Sequence, residues 1–302
     1  HNINRGGAGL VIFRTSEPCS QSGVQVGESF YPGQTGFFDD PNVYLAFIAL
    51  GYQQGTDTAI FVKVADLAGN QAKSGLNYHL RQKVFRRDRL NITDRFLKQK
   101  MPDFSSQISQ DTNLSLVEKF LKIYRDLREA IYQKVAGVCR NTDPKMHWQG
   151  DFLRLPKSAT RAKFADHRTY MYKGREIDRQ VHMGIDLASV AHSPIPAANT
   201  GIVIFAEFLG IYGKTVIMDH GFGLFSMYAH LSHIGVKVGD QLAKGDMLGR
   251  TGITGLAGGD HLHFSMLIHD TFVNPVEWWD TNWIQHNVLS KIEQAGSGIK
   301  QE

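Results

Sequence analysis

The chain has 302 residues, 42% of them hydrophobic and 21% charged, with a formal net charge of +4. That is length enough for two domains and apolar content enough for a packed core, which sets aside a disordered or low-complexity chain. No run approaches the roughly 20 apolar residues of a membrane span, and the small charge excess does not mark a nucleic-acid binder.

The chain opens His1-Asn2-Ile3-Asn4, with neither a basic n-region nor an apolar h-region. Without an initiating Met, the expectation is a processed or truncated protein whose front carried an export signal or anchor. Residues 1–80 read as β. Short apolar runs at 10–13, 43–50 and 59–64 are separated by Gly, Pro, Asn and Asp clusters. Asp66, Gly69 and Asn70 mark a tight turn and resemble the hairpin of bacterial immunoglobulin-like domains, which implies a small N-terminal β-sandwich with a positioning role. Residues 81–89 are basic and read as a solvated strand edge blunted by charge.

A connector follows, over 81–149. Asp94 to Lys100 suits a short helix. Ser115 and Glu118 fit a capping box, after which apolar residues recur at Val117, Phe120, Leu121, Tyr124, Leu127, Ile131 and Val135. This is one amphipathic helix that ends near Gly137, its apolar stripe turned to core. From 150 to 285 the pattern returns to antiparallel strands, clearest at 202–206, 214–219, 224–230 and 261–268, with 286–302 as a C-terminal tail. The fold class expected is mostly β, with a helical linker between an N-terminal β-sandwich and a C-terminal antiparallel sheet that carries an open groove. Cys19 and Cys139 permit one disulfide without demanding it, and export would favour that bridge.

The chemistry concentrates late in the chain. Ten of the 13 histidines follow residue 150. His182-Met-Gly-Ile-Asp186 places a His and an Asp four apart, on one face whether helical or extended. His261-Leu-His263 puts two imidazoles on one face of a strand. With His230, the set amounts to three ligands and two spare imidazoles, which is what a single-zinc hydrolase needs. No HExxH helix is present, so a Glu-based site is excluded. The loops 207–213 and 253–260 would wall the groove, and the glycines of the second either leave room for a peptide backbone or simply form a flexible turn. His192, His220, His233, His269 and His286 fit no ligand position and read as structural or solvated.

The ordered series around these residues resembles the lysostaphin-type, or LytM-like, M23 zinc metallopeptidases over about Gly174 to Trp279. It runs from Gly184 through Pro194-Ile-Pro196-Ala197, Gly201, Tyr212-Gly213, Tyr228-Ala-His230-Leu231, Val238-Gly239-Asp240 and Gly249-Arg-Thr-Gly252 to His261-Leu-His263-Phe264 and Asn274-Pro275. The resemblance implies that His182, Asp186 and His263 hold one Zn2+ and that His230 and His261 are catalytic. It also implies a peptidoglycan peptide as substrate and a periplasmic or envelope location, with an envelope partner possible through the N-terminal domain. The rival is a non-catalytic or latent regulator that binds cell wall or activates another hydrolase. In the latent form, the linker between His147 and Ile177 would cover the groove, with Asp151, Asp166 or His167 as a fourth ligand.

Overall fold

The computed structural model describes residues 2–104 and 114–299. Near the N-terminus, the strands Ala8–Arg14 and Val43–Ala49 pair antiparallel. They pack on a four-stranded sheet in the order Ser29–Pro32, Cys19–Val26, Ile60–Asp66, Gln71–Gly75. The 66–70 turn forms as its residues dictate. The Asp66 carboxylate accepts from the Asn70 backbone N–H at 2.8 Å and from Asn70 Nδ2 at 2.7 Å, while Gly69 takes φ +89°.

Val43–Ala49 is buried at every position, which explains its unbroken apolar run: both of its faces are covered. One face meets the four-stranded sheet. On the other, Phe47 lies 6.2 Å from Trp148 and 6.0 Å from Trp278. The C-terminal region is tied to this layer by polar contacts as well. Glu277 accepts from Asn4 Nδ2 and from the Ala8 N–H, each at 2.8 Å, and the Asn274 N–H donates to the Gly6 carbonyl. Residues 281–299 run on as consecutive helical segments, and Lys291 Nζ donates to the Leu10 carbonyl at 3.1 Å.

The C-terminal sheet runs Ala159–Ala162, Ile185–Ala188, Leu262–Ile268, Leu224–Leu231, Lys214–Asp219, Gly201–Phe208, Gln241–Leu242, with antiparallel pairing throughout. Its central strands, Leu224–Leu231 and Leu262–Ile268, are buried at every residue. The basic segment contributes an edge strand, Arg87–Ile92, that pairs parallel with His167–Tyr172.

Two connector helices complete the frame. Helix α1 (Asp94–Lys100) is capped by Thr93, and helix α2 (Leu116–Val138) by the Ser115/Glu118 capping box. Helix α2 buries Phe120, Ile123, Tyr124, Ile131 and Val135. These side chains face the C-terminal region: Phe120 and Tyr124 pack on Tyr170, and Ile131 abuts Gly210. Cys19 and Cys139 are both free; the bridge that export would have favoured is not formed. Cys19 starts a strand of the four-stranded sheet, whereas Cys139 is buried at the end of α2.

Candidate metal centre

Strand register assembles the site. Ile185–Ala188 pairs with Leu262–Ile268 so that Asp186 stands directly opposite His263, the closest cross-strand relation a sheet offers. His182 lies four residues before Asp186, in the short irregular segment between two strands, and Gly184 lets that segment pass close to His263. A Cβ at Gly184 would come within 2.5 Å of His263 Nε2 and 2.6 Å of Ser265 Oγ. The result is a tight triangle. His182 Nε2, Asp186 Oδ1 and His263 Nδ1 lie 2.9 Å from one another.

The hydrogen bonds behind each ring fix its tautomer. His182 Nδ1 donates to the Lys163 carbonyl at 2.9 Å, so its Nε2 carries a lone pair. Ser265 donates its single proton to the Met183 carbonyl at 2.7 Å, so at 3.0 Å it can only accept from His263 Nε2–H. His263 Nδ1 therefore also presents a lone pair. Three acceptors converge with no proton among them, an arrangement that suits a cation and is repulsive otherwise. The residues fit a metal, and among the described residues this is the group of His, Cys, Asp and Glu placed to hold one.

Arg168 Nη2 pairs with the outer Asp186 oxygen at 3.0 Å, which leaves Oδ1 turned inward. Burial works against the Asp186 charge. The neighbouring histidines, His182 first, outweigh it when they carry a proton toward Asp186 and hold the carboxyl well below its usual range, a role that a cation would take over in the lone-pair form. Burial pushes His263 down to about 4, so near neutrality it is in the uncharged ligand form.

The other two histidines flank the triangle. His230, the penultimate residue of the strand Leu224–Leu231, takes φ +63°, an uncommon conformation for a non-glycine residue. Its Nδ1 donates to the Thr254 carbonyl at 2.9 Å, which leaves Nε2 as an open base. Burial, then the charges of His261 and His263, depress its pKa well below the ordinary value. His261 Nδ1 donates to the Gly259 carbonyl at 2.8 Å, and its Nε2 lies 3.5 Å from Asp186 Oδ1. Burial opposes the His261 charge, but the Asp186 hydrogen bond and charge raise it. Because that lift comes from the oxygen facing the metal position, a bound cation would remove it. The two rings are 4.9 Å apart.

All five residues singled out by motif thus converge, and the remaining candidates do not. Asp151 pairs with Lys244 at 3.1 Å. Asp166 pairs with Arg86 at 3.0 Å and accepts from the Lys163 N–H, bracing the turn behind His182. His167 packs against Tyr52 and Phe85. None of these three belongs to the ligand cluster, which corrects the fourth-ligand expectation; the 147–177 segment reaches the site through Arg168 and Tyr170 instead. His220 is a core residue, bonded to the Thr200 carbonyl and Ser226 and set against Phe152, while His233 is exposed.

Beside the triangle lies a cavity of about 480 Å³. Its walls include Tyr212, the 256–258 segment, the 90–93 edge and the Phe120, Tyr124 and Arg128 face of α2. The connector touches both loops expected to wall the groove: Lys100 Nζ donates to the Ile253 carbonyl, and Phe104 meets Phe208. In the glycine loop, Gly255 is required by its φ of +66° and its approach to the Ile211 carbonyl. A side chain at Gly258 would meet open space.

Comparison with known proteins bears on the segment that holds the site. The model described as Peptidase family M23 matches residues 180–275, which contain all five site residues. The chain carries a peptidase family M23 domain. An uncharacterized metalloprotease of Buchnera aphidicola is 34% identical over 94 residues, 31% of this chain and 25% of that protein. The DD-carboxypeptidase/endopeptidase Mpg of Neisseria meningitidis is 36% identical over 97 residues, 32% of this chain and 22% of that protein. The peptidoglycan DD-endopeptidase ShyA of Vibrio cholerae is 31% identical over 96 residues, 32% of this chain and 22% of that protein. The chain spans about a quarter of the length of these curated relatives. In fold, it resembles a Pseudomonas aeruginosa structure described as a peptidase M23, with a TM-score of 0.56, 20% identity and coverage of 90% of this chain and 93% of that one. The M23 match leaves the N-terminal β-layer and the connector outside it.

Proposed function

We propose that this chain is a zinc-dependent endopeptidase that hydrolyses peptide cross-links of peptidoglycan, working in the cell envelope. The observation that carries the reading is the triangle of His182 Nε2, Asp186 Oδ1 and His263 Nδ1, whose lone pairs converge without a proton between them. Two imidazoles and one carboxylate form a donor set for zinc with a further position open. The cell-wall substrate is supported by the names of the M23 relatives, two of which are peptidoglycan or DD-peptide hydrolases.

Bound at that triangle, zinc supplies the Lewis acidity that polarises the scissile carbonyl and activates the attacking water. The chain's own residues do the rest. His230, held neutral by burial and oriented through Thr254, accepts a proton at Nε2. His261, oriented through Gly259, turns Nε2 toward the reacting centre; in its imidazolium form it gives the Nε2 proton to the leaving amine, and the proton taken by His230 passes to solvent, from which His261 is reprotonated. Arg168 and Ser265 keep Asp186 and His263 in donor orientation. The non-catalytic form of the regulator alternative has no use for a ligand set, and the grouping of His182, Asp186 and His263 speaks against it; a latent enzyme would keep the same set.

The test is digestion of purified peptidoglycan by the zinc-loaded chain, with His261→Ala as control. The expected product is peptide freed of its cross-link, identified by mass and absent with the variant. A metal-loaded wild type that releases nothing would end the endopeptidase reading.

A further inference from the structure

The cavity beside the metal-ligand triangle contains a cation that none of the roles above uses. Phe120, Tyr124 and Arg128 stand at i, i+4 and i+8 on α2, one stripe of the helix turned to the cavity. Arg128 is half-buried. Its guanidinium lies over the Tyr124 ring at 4.9 Å, and Nη1 donates to the Tyr132 hydroxyl at 3.0 Å and the Val181 carbonyl at 3.3 Å. Val181 directly precedes His182, so the charge sits one residue from the triangle.

One feature sets Arg128 apart from its neighbours. Arg125, one turn earlier and more exposed, pairs with Asp178, and Arg168 pairs with Asp186. Arg128 has no carboxylate partner among the described residues. Its Nε–H, like that of Arg168, is buried with no acceptor. A guanidinium withdrawn from water is stable when paired, and a buried donor without an acceptor needs an explanation. The Nε–Nη2 edge, which binds a carboxylate side-on through two parallel hydrogen bonds, carries no bond among the described residues. Stacking on tyrosines and bonding to neutral oxygens hold the group in place and leave Nη2, which is not among the buried atoms, for one oxygen of an anion.

We propose that Arg128 is a specificity-determining residue that anchors a free carboxylate of the substrate peptide next to the scissile bond. The inference rests on the peptidase reading and deepens it: the substrate is an anionic peptide, and the connector helix supplies part of its binding site. The carboxylate comes either from a peptide C-terminus or from an acidic side chain, and each source has its own control.

The experiment uses the full chain loaded with zinc and two matched pairs of synthetic peptides. One pair ends in D-Ala-D-Ala as the free acid or the amide; the other carries an internal glutamate or glutamine. Wild type, Arg128→Gln and Arg128→Lys are compared for KM and kcat. Binding of the same peptides to His261→Ala, with and without Arg128→Gln, is followed by calorimetry, so that affinity is read even where no bond is cut. Arg128→Gln should raise KM or Kd for one acid peptide by about tenfold, the equivalent of one charge-assisted contact. It should leave kcat within about threefold, leave zinc content unchanged and spare the matching amide. Arg128→Lys, which keeps the charge without the fork, should fall between. The pair that shows the difference identifies the source of the carboxylate. Equal weakening on acids and amides would make Arg128 structural and overturn the proposal. So would a general gain of activity, which would mean that α2 obstructs the groove. Wild type that binds acid over amide yet cuts neither would preserve the anchor and refute the peptidase reading instead.

Discussion

Ser265→Ala probes the site through a residue that touches neither the metal position nor a substrate. The hydroxyl is fully buried, donates to the Met183 carbonyl and accepts from His263 Nε2–H at 3.0 Å. Removing it strands that N–H in a site where His263 is only 3% exposed. An unsatisfied buried donor costs about 1–3 kcal/mol. His263 can escape this cost by moving its proton to Nδ1, where it would bond Asp186 and occupy the lone pair that faces His182. Either way the metal form suffers. Loss of a group that orients a ligating histidine lowers metal affinity by about 10–100-fold. The assay is a chelator-competition titration of zinc, paired with urea denaturation of the metal-free chain. Weaker zinc binding together with reduced stability is the expected result. Unchanged zinc affinity would refute the tautomer assignment and, with it, the argument that three lone pairs converge.

Other outcomes follow from the same geometry. His230→Ala and His261→Ala should retain zinc while turnover drops about 10²–10⁴-fold, the usual contribution of a proton-transfer group; loss of zinc in both would reverse the role assignments. Glu277→Ala should cost about 1–3 kcal/mol in urea denaturation, because the buried Ala8 N–H loses its acceptor; an unchanged midpoint would mean that the contact does not hold the two layers together. Burial lowers the Lys291 pKa to about 8, against an ordinary 10.5. The unfolded chain therefore binds more protons between those values, and this group's contribution to stability rises with pH across that window. Lys291→Met should remove that rise, seen as the difference between wild-type and variant stability at pH 8 and pH 10.5.

The five site residues were legible because strand periodicity is local: His261 and His263 share a face by spacing alone, and the 182–186 motif holds its two donors together. The hairpin at 66–70 and the Ser115 capping box were legible for the same reason, since each is settled by chemistry within a few residues. Ser265 was within reach by the same rule, two residues past His263 on one strand face, but a lone serine carries no distinguishing signal. Arg168 and Arg128 were not legible. Their meaning depends on tertiary placement: the parallel pairing of Arg87–Ile92 with His167–Tyr172 anchors the strand that carries Arg168, and α2 packs toward the metal site. The amphipathic stripe of α2 predicted burial without saying against what. The fourth-ligand candidates Asp151, Asp166 and His167 were chosen by chemical type, and their partners Lys244, Arg86, Tyr52 and Phe85 come from segments that spacing does not relate.

The central claim is that His182, Asp186 and His263 form one zinc site. Elemental analysis of the purified, dialysed chain beside His263→Ala tests it most directly. The expected result is about one zinc per wild-type chain and none in the variant. A wild type that refuses added zinc, or a variant that keeps a full equivalent, would contradict it.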